Sequence, residues 1–295
     1  MLEMRIFAFP NSYIMLHSPR YILTLLLIAI AALTAQAQIL VTDGEALSED
    51  SVKRDFSDQP YFGIYKDNYF IFGPSVGPKA TKYNTNIKFQ ISIAQRLTRS
   101  TLPWGTYLYL FYTQKCFWNV LQNSMPMTDL NFNPGIGLTK PFFVKNRYIG
   151  KMTLIVEHES NGRDSIQSRS WNRVALASNI MVTKNLMVHG KIWIPIVDGE
   201  NNRDIVDYCG FFQFGTQWLS NNKRFMAGVT VVKRKGWNLN SNVQVDLAFR
   251  IFKKENQYLY LQYYNGYGEG LLEYNKFHSQ LRIGLLIKPK LFSDF

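Results

Sequence analysis

The chain has 295 residues, 33 Lys and Arg against 21 Asp and Glu, a formal charge of +12 and two cysteines. Cys116 and Cys209 can form at most one bridge, which excludes a disulfide-stapled mini-protein, and 46% hydrophobic with 15% aromatic residues excludes wholesale disorder. Lys and Arg are scattered singly and form no stripe, so nucleic acid is not an expected partner.

Tyr21 to Leu33 is almost wholly apolar, with Arg20 upstream and Ala35-Gln36-Ala37 downstream. A basic flank, a short apolar core and a small-residue exit predict a cleaved signal peptide over residues 1–37. Beyond it no apolar run approaches the ~20 residues a membrane helix needs, so an exported chain is either soluble or a β-barrel. Residues 38–80, with Pro60, Pro74 and Pro78, alternate poorly. They are expected to be a periplasmic N-terminal extension leading into the first strand.

From residue 81 to residue 295 the pattern has the period of a strand. Ile87, Phe89, Ile91 and Ile93 alternate with Lys88, Gln90 and Ser92; Ile192, Ile194 and Ile196 alternate with Lys191, Trp193 and Pro195. Val243, Val245, Leu247, Phe249 and Ile251 do the same. Turn-rich clusters such as Asn161-Gly162-Arg163-Asp164 and Ser220-Asn221-Asn222-Lys223 separate the runs. The predicted class is all-β. A soluble sandwich would alternate too, but strands of ~9–11 residues suit a tilted membrane strand. Charged residues on the polar face, Lys88, Asp246 and Arg250, suit a polar lumen. Tyr258, Tyr260, Tyr263, Tyr264 and Tyr267 are candidates for an interfacial girdle, and the chain ends on the aromatic Phe295. The expectation is a transmembrane antiparallel β-barrel of about twelve strands, an even number as bacterial barrels take.

One segment carries chemistry. Thr153 to Ser160 reads as a strand ending in the turn Asn161-Gly162-Arg163, and Ser168-Arg169-Ser170-Trp171-Asn172-Arg173 opens the return. His158 and Ser160, two apart on a strand, face the same way. A His base beside a Ser hydroxyl is the minimum for nucleophilic acyl transfer. A hairpin symmetric about Ser165 puts Asn172 opposite His158, where its carbonyl can take the imidazole N–H and fix the tautomer. Ser170 then faces Ser160 and is the rival nucleophile. The same face continues through Met152, Leu154, Val156, Val174 and Leu176, all apolar. In a barrel that face meets lipid, so the nucleophile would lie beside a phospholipid ester. Gly162, without a side chain, is the candidate oxyanion donor through its backbone N–H.

These residues resemble outer membrane phospholipase A. The blocks His158-Glu159-Ser160-Asn161-Gly162-Arg163 and Ser168-Arg169-Ser170-Trp171-Asn172-Arg173 match that family's motif in order and spacing. Tyr112-Thr113-Gln114-Lys115, Asn131-Phe132-Asn133-Pro134, Gly266-Tyr267-Gly268-Glu269 and Tyr274-Asn275 support it. The resemblance runs from about Phe111 to the C-terminus. It implies a calcium-dependent phospholipase of a Gram-negative outer membrane that hydrolyses acyl esters of phospholipids and lysophospholipids, at the 1- and 2-positions. It implies Ser160 as nucleophile, His158 as base and Asn172 as orienting group. Calcium is implied on the Arg163 carbonyl and the Ser168 side chain, with a carbonyl, that of Ser124, from a second chain. Activation by homodimerisation is implied, with Gln114 in the interface. The sequence departs from the family at Glu159, where Asp is usual, and at Asp164-Ser165, where Ser-Asp is usual; the second displaces the acidic group near calcium. The competing reading is a non-enzymatic porin or channel, whose functional charges would line the lumen. His189 and His278 read as ordinary strand-end residues, and Cys116 and Cys209 as belonging to different strands with no redox role.

Overall fold

A computed structural model describes residues 61–98, 101–144, 147–197, 199–252 and 255–288. The expected signal peptide, most of the expected extension and Phe295 lie outside the described residues. The strands are β1 (Phe62–Ile64), β2 (Asn68–Pro74), β3 (Thr85–Arg96), β4 (Tyr107–Trp118), β5 (Met127–Val144), β6 (Arg147–Ser160) and β7 (Ser170–Met181). They continue as β8 (Leu186–Ile196), β9 (Phe212–Leu219), β10 (Phe225–Lys233), β11 (Ser241–Arg250), β12 (Gln257–Gly266) and β13 (His278–Ile287), with one short α-helix among the described residues, α1 (Ile205–Cys209).

Each strand from β2 to β13 pairs antiparallel with the next, and β13 returns to β2, closing the ring. β1 lies along β3 beyond a short break, so β1 and β2 act as one interrupted strand of a twelve-stranded antiparallel barrel. At the break, side chains stand in for the missing ladder. Asn68 Oδ1 accepts from the Ser92 N–H at 2.6 Å, Gln90 Nε2 donates to the Asp67 carbonyl at 2.8 Å, and the Lys66 N–H donates to Ser92 Oγ at 3.2 Å. The barrel therefore begins at Phe62, not after residue 80. Weak alternation around Pro74 hid a strand whose rhythm is broken at Tyr65–Asp67.

The strands are inverted relative to a water-soluble sheet. In β13, Leu281, Ile283 and Leu285 are 40–56% exposed on the outside, whereas Arg282 is 1% exposed inside. The same holds for Leu247 and Phe249 against Asp246. An apolar surface of this extent belongs in lipid. Three of the expected girdle residues point the other way. Tyr258, Tyr260 and Tyr264 are buried in the lumen, because the period places them in step with Gln262 and opposite the outward Leu259 and Leu261. Cys209 sits on α1 instead of a strand, and burial pushes its thiol up to about 12.

The lumen is filled. At the end with short turns, Ile71, Met226, Ala248, Tyr258, Tyr260 and Leu286 form an apolar floor. At the other end, Trp171, Ala175, Trp193, Ile205, Leu271 and Tyr274 form a second cluster under α1 and the loop after β12. Between them a cavity of about 270 Å³ is lined by polar groups including Lys66, Lys88, Arg173, Asp246 and Glu269. A lumen stopped at both ends speaks against the channel reading. The catalytic candidates sit at the end carrying the longer connections, 197–211 and 267–277, which in such barrels face outward from the cell.

Glu269, from the loop after β12, holds Lys88 Nζ at 3.1 Å and Arg282 Nη1 at 2.6 Å, all almost fully buried. Burial would raise its carboxyl, but Arg282 and Lys88 outweigh that and hold it down at about 2. The lowered value means this carboxylate stabilises the fold fully above its ordinary 4.5 and loses that contribution as pH falls toward 2. Glu269→Gln should cost about 3–5 kcal/mol at neutral pH by stranding two buried cations. It should also flatten the loss of stability over that acid range, as read by urea unfolding in lipid vesicles at a series of pH values.

Candidate active site

β6 and β7 form a hairpin around a single-turn 3-10 helix, Ser165–Gln167. Its register pairs Glu157 with Arg173, His158 with Asn172, Glu159 with Trp171 and Ser160 with Ser170, the pairing expected from symmetry about Ser165. His158 Nδ1 and Asn172 Oδ1 are 2.8 Å apart. Ser160 stands next on the same outer face, beyond the exposed Leu154 and Val156. His158, Ser160 and Asn172 are each half-buried at the lipid side.

The alternate residues of the hairpin anchor it from inside. Glu157 accepts from Lys191 Nζ at 2.5 Å and is ion-paired with Arg173, whose Nε lies 3.2 Å away. Glu159 accepts from Trp171 Nε1 at 3.1 Å and from Arg173 Nη2 at 2.9 Å. Glu159 therefore points into the lumen, away from His158 and Ser160, and the longer acid fits there without touching them.

Pro134 of β5 lies between the pairs Phe132–Ser160 and Gly135–Glu157. It has no N–H to give the ladder, and the Asn133 side chain donates to the His158 carbonyl at 2.7 Å instead. The His158 backbone thus turns toward β5. Residues that turn away from a neighbouring strand meet it as a close, non-hydrogen-bonded pair, which suits the short contact to Asn172.

Asn161, 3% exposed, organises the turn. Its Nδ2 donates to the Gln167 carbonyl at 2.8 Å, and its Oδ1 accepts from the Arg169 N–H at 2.9 Å and the Arg163 N–H at 3.3 Å. Arg163 ties the turn to β5 by donating to the Thr128 carbonyl at 2.6 Å, and also bonds Gln167. Gly162 has φ +63°, and a Cβ there would lie 2.9 Å from the Phe132 ring. Sequence reasoning missed Asn133 and Asn161. The Asn-Pro dipeptide was the available signal for the first, since a strand proline leaves a carbonyl to be satisfied.

The remaining candidates are not all together. Arg163 and Ser168 bracket the turn, with Asp164 exposed between them. Ser124 lies in the exposed turn between β4 and β5, with φ +63°. Gln114 accepts from the Tyr112 hydroxyl at 3.0 Å on the outer face of β4. Register joins Gln114, Phe132, Ser160 and Ser170 in one cross-strand row. Among the described residues no three His, Cys, Asp or Glu gather as metal ligands. The turn instead presents oxygens, the Arg163 carbonyl and the Ser168 hydroxyl, neither of which accepts a hydrogen bond from another described residue. Carbonyl and hydroxyl oxygens are what calcium takes, though one chain supplies fewer than its six to eight.

A family model described as phospholipase A1 matches residues 63–287. The chain belongs to the phospholipase A1 family. The phospholipases A1 of Salmonella typhimurium and of Escherichia coli K12 are each 32% identical over 212 residues, 68% of this chain and 69% of theirs. The outer membrane phospholipase A structure from Escherichia coli matches with a TM-score of 0.68 at 26% identity, covering 78% of this chain and 99% of that one. The calcium-bound dimer of the Salmonella typhi outer membrane phospholipase matches with 0.67 at 26%, covering 76% and 91%. An active-site mutant of the Escherichia coli protein, asparagine to alanine, matches with 0.66 at 25%, covering 78% and 93%. Family and barrel together make this chain a phospholipase, an ester hydrolase of a Gram-negative outer membrane.

Asn161→Ala should leave the barrel intact but free the amides of Arg163 and Arg169. Hydrogen exchange should show lost protection at 162–169 and none in β6 or β7.

Proposed function

We propose that this phospholipase hydrolyses acyl esters of phospholipids and lysophospholipids, at either position, through Ser160, His158 and Asn172. The observation that carries the reading is the His158–Asn172 contact on the lipid-facing side of the hairpin, with Ser160 next in the same row. A polar pair facing lipid is costly without a use, and a relative's active site also contains an asparagine.

Asn172 Oδ1 accepts the His158 Nδ1–H, which leaves Nε2 as the base. Ser160 Oγ attacks the ester carbonyl as Nε2 takes its proton. The tetrahedral intermediate collapses to an acyl-Ser160 ester, and Nε2 returns the proton to the departing lysophospholipid alkoxide. Water, deprotonated by the same nitrogen, then releases the fatty acid and restores Ser160. The Gly162 N–H is the chain's own donor to the oxyanion. Arg163 through its carbonyl and Ser168 through its hydroxyl would hold calcium, with the Ser124 carbonyl of a second copy completing the set. Bound there, the cation supplies positive charge beside the developing oxyanion. A relative is a calcium-bound dimer, and the Gln114 side chain lies in the row of Ser160 about two strand spacings, roughly 10 Å, away.

Ser160→Ala should abolish hydrolysis with a folded barrel, shown by heat-modifiable gel mobility. His158→Ala should lose on the order of 10⁴-fold or more, and Asn172→Ala less, because a neutral amide only orients the ring. Full activity in folded Ser160→Ala would move the assignment to Ser170. Titrating calcium into detergent-solubilised protein should raise crosslinked dimer and activity together, and Gln114→Ala should depress both. Full activity in a species that sediments as a monomer would exclude the dimer reading.

A further inference from the structure

β8 pairs with β7 only as far as Asn172–Ile196, and the next position of β7 turned toward β8 is Ser170. Its N–H and C=O point away from β6, where no strand continues. Asn202, 0% exposed, arrives from the loop after β8 and takes both. Its Oδ1 accepts from the Ser170 N–H at 3.2 Å, and its Nδ2 donates to the Ser170 carbonyl at 2.8 Å. One side-chain amide thus does what a peptide group of β8 would have done. The loop is built around this contact. A Cβ on Gly199 would lie 2.2 Å from Asn202 Oδ1 and 2.8 Å from the Ser170 carbonyl. Asn201 Nδ2 donates to the Ser165 carbonyl at 2.8 Å, and Ile205, first residue of α1, is buried in the cluster that holds Trp171.

We propose that Asn202 is a positioning residue for the reaction, acting through Ser170 on the facing Ser160. This rests on the reading of Ser160 as nucleophile. Strand ends fray where their backbone groups lack partners. With Asn202 in place, β7 keeps partners on its β8 side through Ser170, and Ser160 keeps a fixed partner one position inside the Asn161 N–H to Arg169 carbonyl bond of 3.0 Å that closes the hairpin. Without it, Ser170 loses its hold on the β8 side, and the Ser160–Ser170 rung loosens between the Asn161–Arg169 bond and the His158–Asn172 pair.

The test uses full-length protein folded in detergent micelles, a fluorophosphonate probe for Ser160, and a soluble short-chain ester for steady-state kinetics. Asn202→Ala should lower kcat and the labelling rate by on the order of tenfold or more while leaving KM nearly unchanged. Asn202→Asp supplies the second arm. Its carboxylate can accept from the Ser170 N–H but not donate to the carbonyl, whereas its protonated form can do both. The ratio of its labelling rate to that of the unmodified protein should therefore rise as pH falls through the carboxyl range. Labelling of folded Asn202→Ala at the unmodified rate overturns the proposal. If Asn202→Ala does not fold, the ratio decides alone, and a ratio independent of pH overturns it. Labelling that persists in Ser160→Ala instead overturns the reading of Ser160, and is scored separately.

Discussion

Lipid offers a backbone no hydrogen-bond partners, so every N–H and C=O within the membrane must be satisfied by the chain itself. The return of β13 to β2 meets that demand by leaving the ring without a free edge. It also decides polarity. With lipid outside, Ile283 and Leu285 turn outward and Arg282 and Gln262 turn in, and the lumen must then pair the charges it receives. The Lys88–Glu269–Arg282 and Lys191–Glu157–Arg173–Glu159 networks follow from that inversion.

The inversion also explains how a site can stand on the outside of a barrel and still be rigid. Period 2 puts His158 and Ser160 at the lipid face and Glu157 and Glu159 in the lumen. His158 is therefore flanked along the strand on both sides, and Ser160 on one, by residues locked in a buried ion-pair network. The outer face around the candidate site is lined with Leu154, Val156 and Ile194, while its stiffness is generated on the opposite face of the same sheet.

Near the site, regular pairing is interrupted three times, and each time an asparagine side chain replaces a peptide group. Asn133 serves the His158 carbonyl that Pro134 cannot reach, Asn161 closes the turn, and Asn202 continues β8 past its end. A side-chain amide carries a donor group and an acceptor group side by side, as a peptide does. It can thus satisfy the backbone while letting the chain bend where a strand could not. The outer face gains irregular geometry at the candidate site.

Alternation alone determined that this chain is all-β and which side of each strand is apolar, because period 2 is a local property of the backbone. The pairing of His158 with Asn172 was also legible, since a short hairpin allows few registers. The motif blocks carried the family. Other features required the closed barrel. The first strand at Phe62–Pro74 is broken at Tyr65–Asp67, and its identity depends on β3 and β13 lying either side of it. Tyr258, Tyr260 and Tyr264 have the composition of a girdle and the phase of a core, and only the register against β11 and β13 says which face they take. Asn202 is 32 residues from Ser170 along the chain. A single side chain bridging two loops leaves no periodic trace in a sequence, because the contact is created by where the barrel carries the chain, not by any local preference.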